Sequence, residues 1–454
     1  MKLYKIDKII GILCYSTTEK GIGGKLRKKL SDFKVQEVNK NGKVLNFYHS
    51  GVKIPNIYEK DFEYLTFNLQ KMGMTTPEAI EKIANATGLD SNNFYFSGFK
   101  DKRAITVQEI SVKGNPIKLL TKINNDHLKL FNFNRGSKIF EGEHLGNFFT
   151  IIIRDINLSK NKCRDRIEKI WNEIESNGLL NYFGYQRFGS IRPISHIIGK
   201  DLVKKEYENA LRDYLTFESK FENKEIANLR KVIKKDWPNI DDKLIKKLPD
   251  NLDFEKKILY ELKKRNNDYK NVIFSVFGTN LIRMFVHAYQ SYLFNKILSF
   301  RFLNLKRELI EGDVIIILDY QGLPTDKHVI LNQKNYNVLI KLIKSKKAVL
   351  GIPLLGKNTI KDENISNKQY IKEVINQENL KIEDFDILNS KNKLLSFMGG
   401  FRPAFIFPKN FKYEFLRQNN SLKGLIIKMK FFLQKGTYAT IFMRELMKTN
   451  PLDY

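Results

Sequence analysis

Between Leu65 and Val112 the spacing of apolar residues changes from two to 3.6 and back to two. That switch confines the chain to folds in which helices pack on sheet. Leu65, Phe67 and Leu69 alternate with Thr66 and Asn68, the period of a half-buried strand. Thr76-Pro77 then supplies a helix N-cap and a proline at the first helical position. Ile80, Ile83 and Ala84 line one face, and Gly88 offers the stop. Strands are predicted over Phe94–Phe96 and Ile105–Val112, on either side of a charged turn. Phe149–Ile153 reads as a further strand, and Ile167, Ile170, Trp171 and Ile174 stand at helical spacing before Gly178.

The middle of the chain has a different character. From about Lys200 to Lys270 both charge signs are dense, with apolar residues at irregular helical spacing, as in solvated amphipathic helices. Arg283–Phe300 predicts a stronger helix, free of Gly and Pro. Strand character restarts at Gly312–Ile317. It returns where Leu425, Ile427, Met429 and Phe431 alternate with Lys428 and Lys430, before a helix over Thr437–Lys448. At 454 residues the chain exceeds one typical domain. No repeat or low-complexity linker divides it. The pattern alone predicts an α/β or α+β chain of two domains, and a discontinuous domain built from both ends fits it.

Composition narrows the function. Hydrophobic residues make up 42%, with 33 phenylalanines, which is enough for a core and excludes global disorder. Lys plus Arg number 79 against 50 acidic residues, a net charge of +29, which points to a polyanion. Membrane attachment is the weaker branch: the apolar run Ile9–Tyr15 is too short to span, and Asp7 with no cleavage site argues against a secretory signal. Cys14 and Cys163 lack C-x-x-C spacing, and no two of the six histidines form H-x-x-x-H, so neither a disulfide framework nor a zinc site is expected. Gly21-Ile22-Gly23-Gly24-Lys25 is neither a phosphate loop nor a dinucleotide fingerprint, and no G-x-S-x-G elbow occurs. A cytoplasmic location is expected.

The chemistry centres on Gly98-Phe99-Lys100-Asp101-Lys102-Arg103-Ala104-Ile105-Thr106-Val107-Gln108. Asp101 lies in a turn with Lys100, Lys102 and Arg103 around it. Neighbouring cations hold a carboxylate ionised, fit to act as nucleophile or base. Asn147 and Phe149 sit two apart at the start of a strand and so face the same way. One can hydrogen-bond while the other stacks.

Five further segments stand with this one in order: Asp32-Phe33-Lys34-Val35-Gln36-Glu37, Gly146-Asn147-Phe148-Phe149, Asn181-Tyr182-Phe183-Gly184-Tyr185-Gln186-Arg187-Phe188-Gly189, Arg402-Pro403, and Gly436-Thr437-Tyr438-Ala439-Thr440 followed by Arg444-Glu445. Together they resemble the signature of the TruD family of tRNA pseudouridine synthases. Only Ala288–Asn295 looks familiar between Ser190 and Phe397.

The resemblance implies an α+β fold. It would be a pseudouridine synthase core, with a mixed, largely antiparallel sheet flanked by helices, interrupted by an inserted α/β TRUD-specific domain. Residues 1–189 and 398–454 would form the catalytic domain and 190–397 the insertion. It also implies a tRNA partner, isomerisation of uridine-13, no cofactor and no metal. Asp101 would be the nucleophile and Phe149 the ring on uracil, with Phe33 as a second pocket wall and Asn147 as a hydrogen-bonding neighbour. Where the family usually carries a lysine that pairs with the aspartate, this chain has Arg27, and Lys25 or Lys100 could share the task. Gln186 and Arg187 are substrate-facing or structural. Glu37 would orient a cation or cap a strand. The competing reading from another class is a basic RNA-binding protein without catalysis. A methyltransferase would need a glycine-rich cofactor turn, which is not evident.

Overall fold

The computed structural model describes residues 3–50, 62–189, 191–219, 222–385, 397–417 and 424–451. Ser190, the expected start of the insertion, lies outside them. The chain forms two compact units. One combines Ser16–Leu179 with Ile406–Tyr454, and the other combines Lys2–Tyr15 with Leu180–Phe405.

In the first unit nine strands make one sheet among the described residues. In chain order the first seven are β1 (Phe33–Val38), β2 (Tyr64–Met72), β3 (Phe94–Phe96), β4 (Ile105–Lys113), β5 (Asn124–Asn125), β6 (Leu128–Gly136) and β7 (Gly146–Ile156). Lys409–Phe415 and Leu425–Gln434 complete it. Across the sheet the order is Lys409–Phe415, Leu425–Gln434, β7, β1, β4, β2, β6, β5. β1 and β4 run parallel, and the other pairings are antiparallel. This is the mixed, largely antiparallel α+β arrangement expected.

Register decides which side chains share a face. Val35 stands opposite Phe149 and Glu37 opposite Asn147. Val35 also neighbours Thr106, which neighbours Lys71. Phe149 in turn lies opposite Phe431. All of these project to one side of the sheet, because directly paired residues point the same way. One end of that face is closed by the helix Thr76–Thr87, whose Ala79, Ile80 and Ile83 pack on Leu65, Phe67, Leu69, Ile110 and Val112. The helix begins one residue earlier than its sequence suggests. Thr75 is the cap, accepting from the Glu78 N–H at 3.3 Å, while the Glu78 carboxylate accepts from the Thr75 N–H at 2.7 Å. Thr76 is thereby free to turn inward. Gly88 ends the helix in the left-handed region (φ 70°), as expected.

β1 and β3 lie along the same edge of β4, β1 at Ile105–Val107 and β3 at Ile110–Val112. The chain leaving β3 must therefore run back to enter β4, and residues 97–104 make that return.

The second unit is built on the helix Tyr269–Leu305, broken at Gly278 (φ 62°, ψ 172°). It is long and apolar enough to cross a bilayer, yet Val286, Tyr289, Leu293, Phe294 and Ile297 are buried inside the unit. A four-stranded antiparallel sheet accompanies it, in the order Pro324–Ile330, Val314–Leu318, Ala348–Leu354, Gly400–Pro403. The first residues of the chain join this unit. Asn295 donates to the Ile10 carbonyl at 2.9 Å, and Ser299 donates to that of Gly11 at 3.1 Å while accepting the Leu13 N–H at 3.0 Å.

Candidate active site

The return loop 97–104 is pinned at successive points. Gln108 donates to the Gly98 carbonyl at 3.2 Å, and the Lys100 N–H reaches the inward-turned Thr76 hydroxyl at 3.1 Å. The Lys100 side chain goes down rather than out. It is buried and meets the equally buried Glu37 carboxylate at 2.6 Å. Glu37 also accepts from the Ser97 hydroxyl at 2.8 Å and the Glu109 N–H at 3.1 Å. Of the two roles open to Glu37, the geometry favours orienting a cation. Lys102 faces outward to Glu78 at 2.7 Å, and Arg103 donates to the Arg27 carbonyl at 3.4 Å.

The expectation that Asp101 draws its cations from its chain neighbours is therefore not how the loop is built. Among the described residues its ion pair is with Arg27, 3.6 Å away. The Asp101 side chain is 33% exposed and that of Arg27 12%. Lys25 is exposed, and its main chain bridges to Arg154.

Arg27 is placed with some strain. Its φ is 52°, in a region that costs a non-glycine residue on the order of 1 kcal/mol or more. The turn before it needs Gly24 (φ 93°), where a Cβ would stand 2.6 Å from Ile153 Cγ2 and 2.9 Å from the Arg154 carbonyl. Below it, Asp32 is fully buried and grips Arg154 through contacts of 2.6–3.0 Å, locking the start of β1 to β7. The Asp32 of the motif is thus a structural clamp. The Arg27 guanidinium lies over the Phe33 ring at 4.1 Å. Burial lowers its pKa from the ordinary value; the Asp101 charge pulls the other way and Arg103 adds to the lowering. The Nε and Nη2 atoms of Arg27 are buried without a hydrogen-bond partner among the described residues.

Phe33 also meets Phe149 edge-on, with centroids 6.1 Å apart. Phe149 is buried, and one of its faces is stacked on Phe431 at 5.4 Å and 21°. Sequence reading had no means to see that partner, because the pairing comes from sheet register. Two residues before Phe149 and on the same face, Asn147 has a buried Oδ1 with no partner among the described residues. Gly146 is required just before it, since a Cβ there would lie 2.2 Å from the Leu433 carbonyl.

The structure thus gathers Asp101, Arg27, Phe33, Phe149 and Asn147 on one face of the first unit. Gln186 and Arg187 belong to the second unit, in the turn Tyr185–Arg187, where Arg187 donates to the Ser291 hydroxyl at 3.2 Å. Their motif is heavily used there: the Asn181 N–H donates to the Ala404 carbonyl, the Phe183 N–H to Asn295, and Tyr185 to Asp7. Sequence reading missed Lys71. It is fully buried, and its ammonium donates to the carbonyls of Met74, Lys100 and Asp101 at 2.8, 3.2 and 2.9 Å. Burial lowers its pKa to about 8. The signal was present, since position 71 continues the buried series Leu65, Phe67, Leu69.

Residues 9–446 match the family model described as tRNA pseudouridine synthase D (TruD). A relative from Methanosarcina acetivorans, named "Probable tRNA pseudouridine synthase D", is 31% identical over 100% of this chain and 99% of its own. One of the same name from Pyrococcus furiosus is 32% identical over 97% of this chain and 99% of its own. The crystal structure of a Methanosarcina mazei protein described under the TruD name superposes with a TM-score of 0.78. It is 30% identical and covers the whole of both chains.

Proposed function

Because the chain belongs to the tRNA pseudouridine synthase D (TruD) family, we propose that it isomerises uridine-13 of tRNA to pseudouridine, with Asp101 as nucleophile. The Asp101 carboxylate bonds to C1′ as the bond from C1′ to N1 breaks, its electron pair leaving on the base. The base turns, C5 bonds to C1′ as the carboxylate leaves with the pair it brought, the C5 proton is lost and N1 takes one up. Product and substrate have the same atoms and oxidation state, so the reaction itself calls for no cofactor.

One observation carries the reading. Among the described residues, the site that holds the partly exposed Asp101 carboxylate also holds buried donors without a hydrogen bond, Arg27 Nε and the Nη2 that meets Asp101 only as an ion pair at 3.6 Å, and one buried acceptor without a hydrogen bond, Asn147 Oδ1. The edge of uracil is an imide, an N–H flanked by carbonyls, and needs both kinds of partner. Leaving such groups unmatched is costly, which is how a buried site selects a polar ligand. Phe149 supplies a flat apolar wall for a base taken out of its stack. In this reading the unit of Ser16–Leu179 and Ile406–Tyr454 holds the chemistry, and residues 190–397 act as an inserted domain that adds RNA affinity.

The test is incubation of the purified, chelator-treated protein with unmodified tRNA transcripts, followed by site mapping. Pseudouridine at position thirteen, absent with Asp101→Asn, is expected. Tight RNA binding with no pseudouridine at any site would instead support the non-catalytic reading.

A further inference from the structure

A lysine at a core position of a strand is an expensive choice. The series Leu65, Phe67, Leu69 would continue most simply with another apolar side chain, and a buried ammonium is tolerated only where its protons are all used. Those of Lys71 have three main-chain acceptors, two of them on the consecutive residues Lys100 and Asp101. The other fixings of the loop act at Ser97, Gly98 and Lys100 before Asp101, and at Lys102, Arg103 and Ala104 after it. Among the described residues, the hydrogen bond to the main chain of Asp101 itself comes from Lys71. Charge acts in the same place. Asp101 and Glu78 favour the ammonium form, while burial and Lys100 oppose it.

We propose that Lys71 is the positioning residue for Asp101. It holds the carbonyl end of that residue while Arg27 faces the carboxylate end, so that the carboxylate stands in one place. The proposal rests on Asp101 being the reacting carboxylate. Lys71 touches neither substrate nor reacting atoms, and its effect is on the chemical step. A misplacement of about 1 Å is enough to cost about a hundredfold in rate.

The experiment compares wild type with Lys71→Met, Lys71→Gln and Lys71→Arg. It measures single-turnover rate with enzyme in excess, Kd for tRNA, and Tm, at a temperature below every melting transition. Lys71→Met should lose at least about a hundredfold in rate with Kd within about threefold of wild type. Lys71→Arg, which keeps a charged donor, should recover at least a tenth of the wild-type rate. Lys71→Gln, which keeps a neutral donor in case the methionine variant folds poorly, should fall between them. A folded Lys71→Met or Lys71→Gln with the wild-type rate would overturn the proposal. So would a rate loss matched by an equal loss of affinity, or no difference between the arginine and methionine variants. An inactive wild type would count against the assignment of function instead.

Discussion

At the scale of single residues, Asp101 and Phe149 make contrasting predictions. Asp101 is partly exposed and little used in packing, so Asp101→Asn should abolish turnover while leaving Tm nearly unchanged and tRNA affinity equal or slightly higher. Near-normal turnover would remove it from the mechanism. Phe149 has two tasks, since its ring packs on Phe431 and Phe33 and would also face the base. Phe149→Ala should therefore destabilise by about 3–5 kcal/mol and report mainly on packing. Phe149→Leu is the better probe. It keeps much of the volume, with an expected cost under about 1.5 kcal/mol, but loses the flat face. Turnover should then fall roughly 5- to 150-fold, as loss of a base–aromatic stack worth about 1–3 kcal/mol implies. Melting temperature measured beside single-turnover rate separates the effects, and parallel losses of both would make Phe149 a packing residue only.

At the scale of elements, the loop 97–104 depends on the Lys100–Glu37 pair. Both partners are almost wholly buried, so Glu37→Gln should cost about 3–5 kcal/mol by leaving a buried ammonium uncompensated. The double change Glu37→Gln with Lys100→Met should cost less than the sum of its parts in urea melts. Additive costs would mean the pair is not coupled. The helix Ser195–Val203 offers a pH test. Asp201, near its end, has a buried Oδ2 with no hydrogen-bond partner among the described residues, and its pKa is pushed up to about 7, first by burial and then by Asp213 and Glu206. A folded-state pKa above the unfolded one gives stability present below about pH 4 and lost as pH rises through about 7. Asp201→Asn should thus leave Tm nearly unchanged near pH 4 and raise stability above pH 7, by up to about 4 kcal/mol. A gain independent of pH would refute this. Strands and helices of this chain were legible because their periods are local properties: β2, its following helix and β4 stand where spacing placed them. The partner of Asp101 was not legible from local spacing, and only the resemblance offered Arg27, beside Lys25 and Lys100. Lys100, Lys102 and Arg103 are its neighbours in sequence, but the loop sends them to Glu37, Glu78 and a carbonyl, and the cation arrives from Arg27 through the pairing of β1 with β4. Lys71 was half legible, as a charge in an apolar series.

At the scale of the whole molecule, a net charge of +29 predicts tRNA binding that weakens steeply with salt. If six to ten phosphates are neutralised, affinity should fall roughly 10³–10⁵-fold between 50 and 200 mM salt. A flat salt profile would mean that the excess of lysine serves something other than RNA. Removing residues 190–397 should weaken binding and reduce that slope. The cut has to be made with the first segment in mind, because Ile10, Gly11 and Leu13 bond to Asn295 and Ser299. The same bonds govern how the protein is made. Residues up to Tyr15 leave the ribosome long before their partners at Asn295 and Ser299, which emerge some 280 residues later. At about 5–20 residues per second that is a wait of roughly 15–60 seconds. Through it the apolar stretch Ile9–Tyr15 has no completed unit to join, while Ser16–Leu179 follows it out. A stretch made early is thus seated late, and for that interval it is what a chaperone would meet.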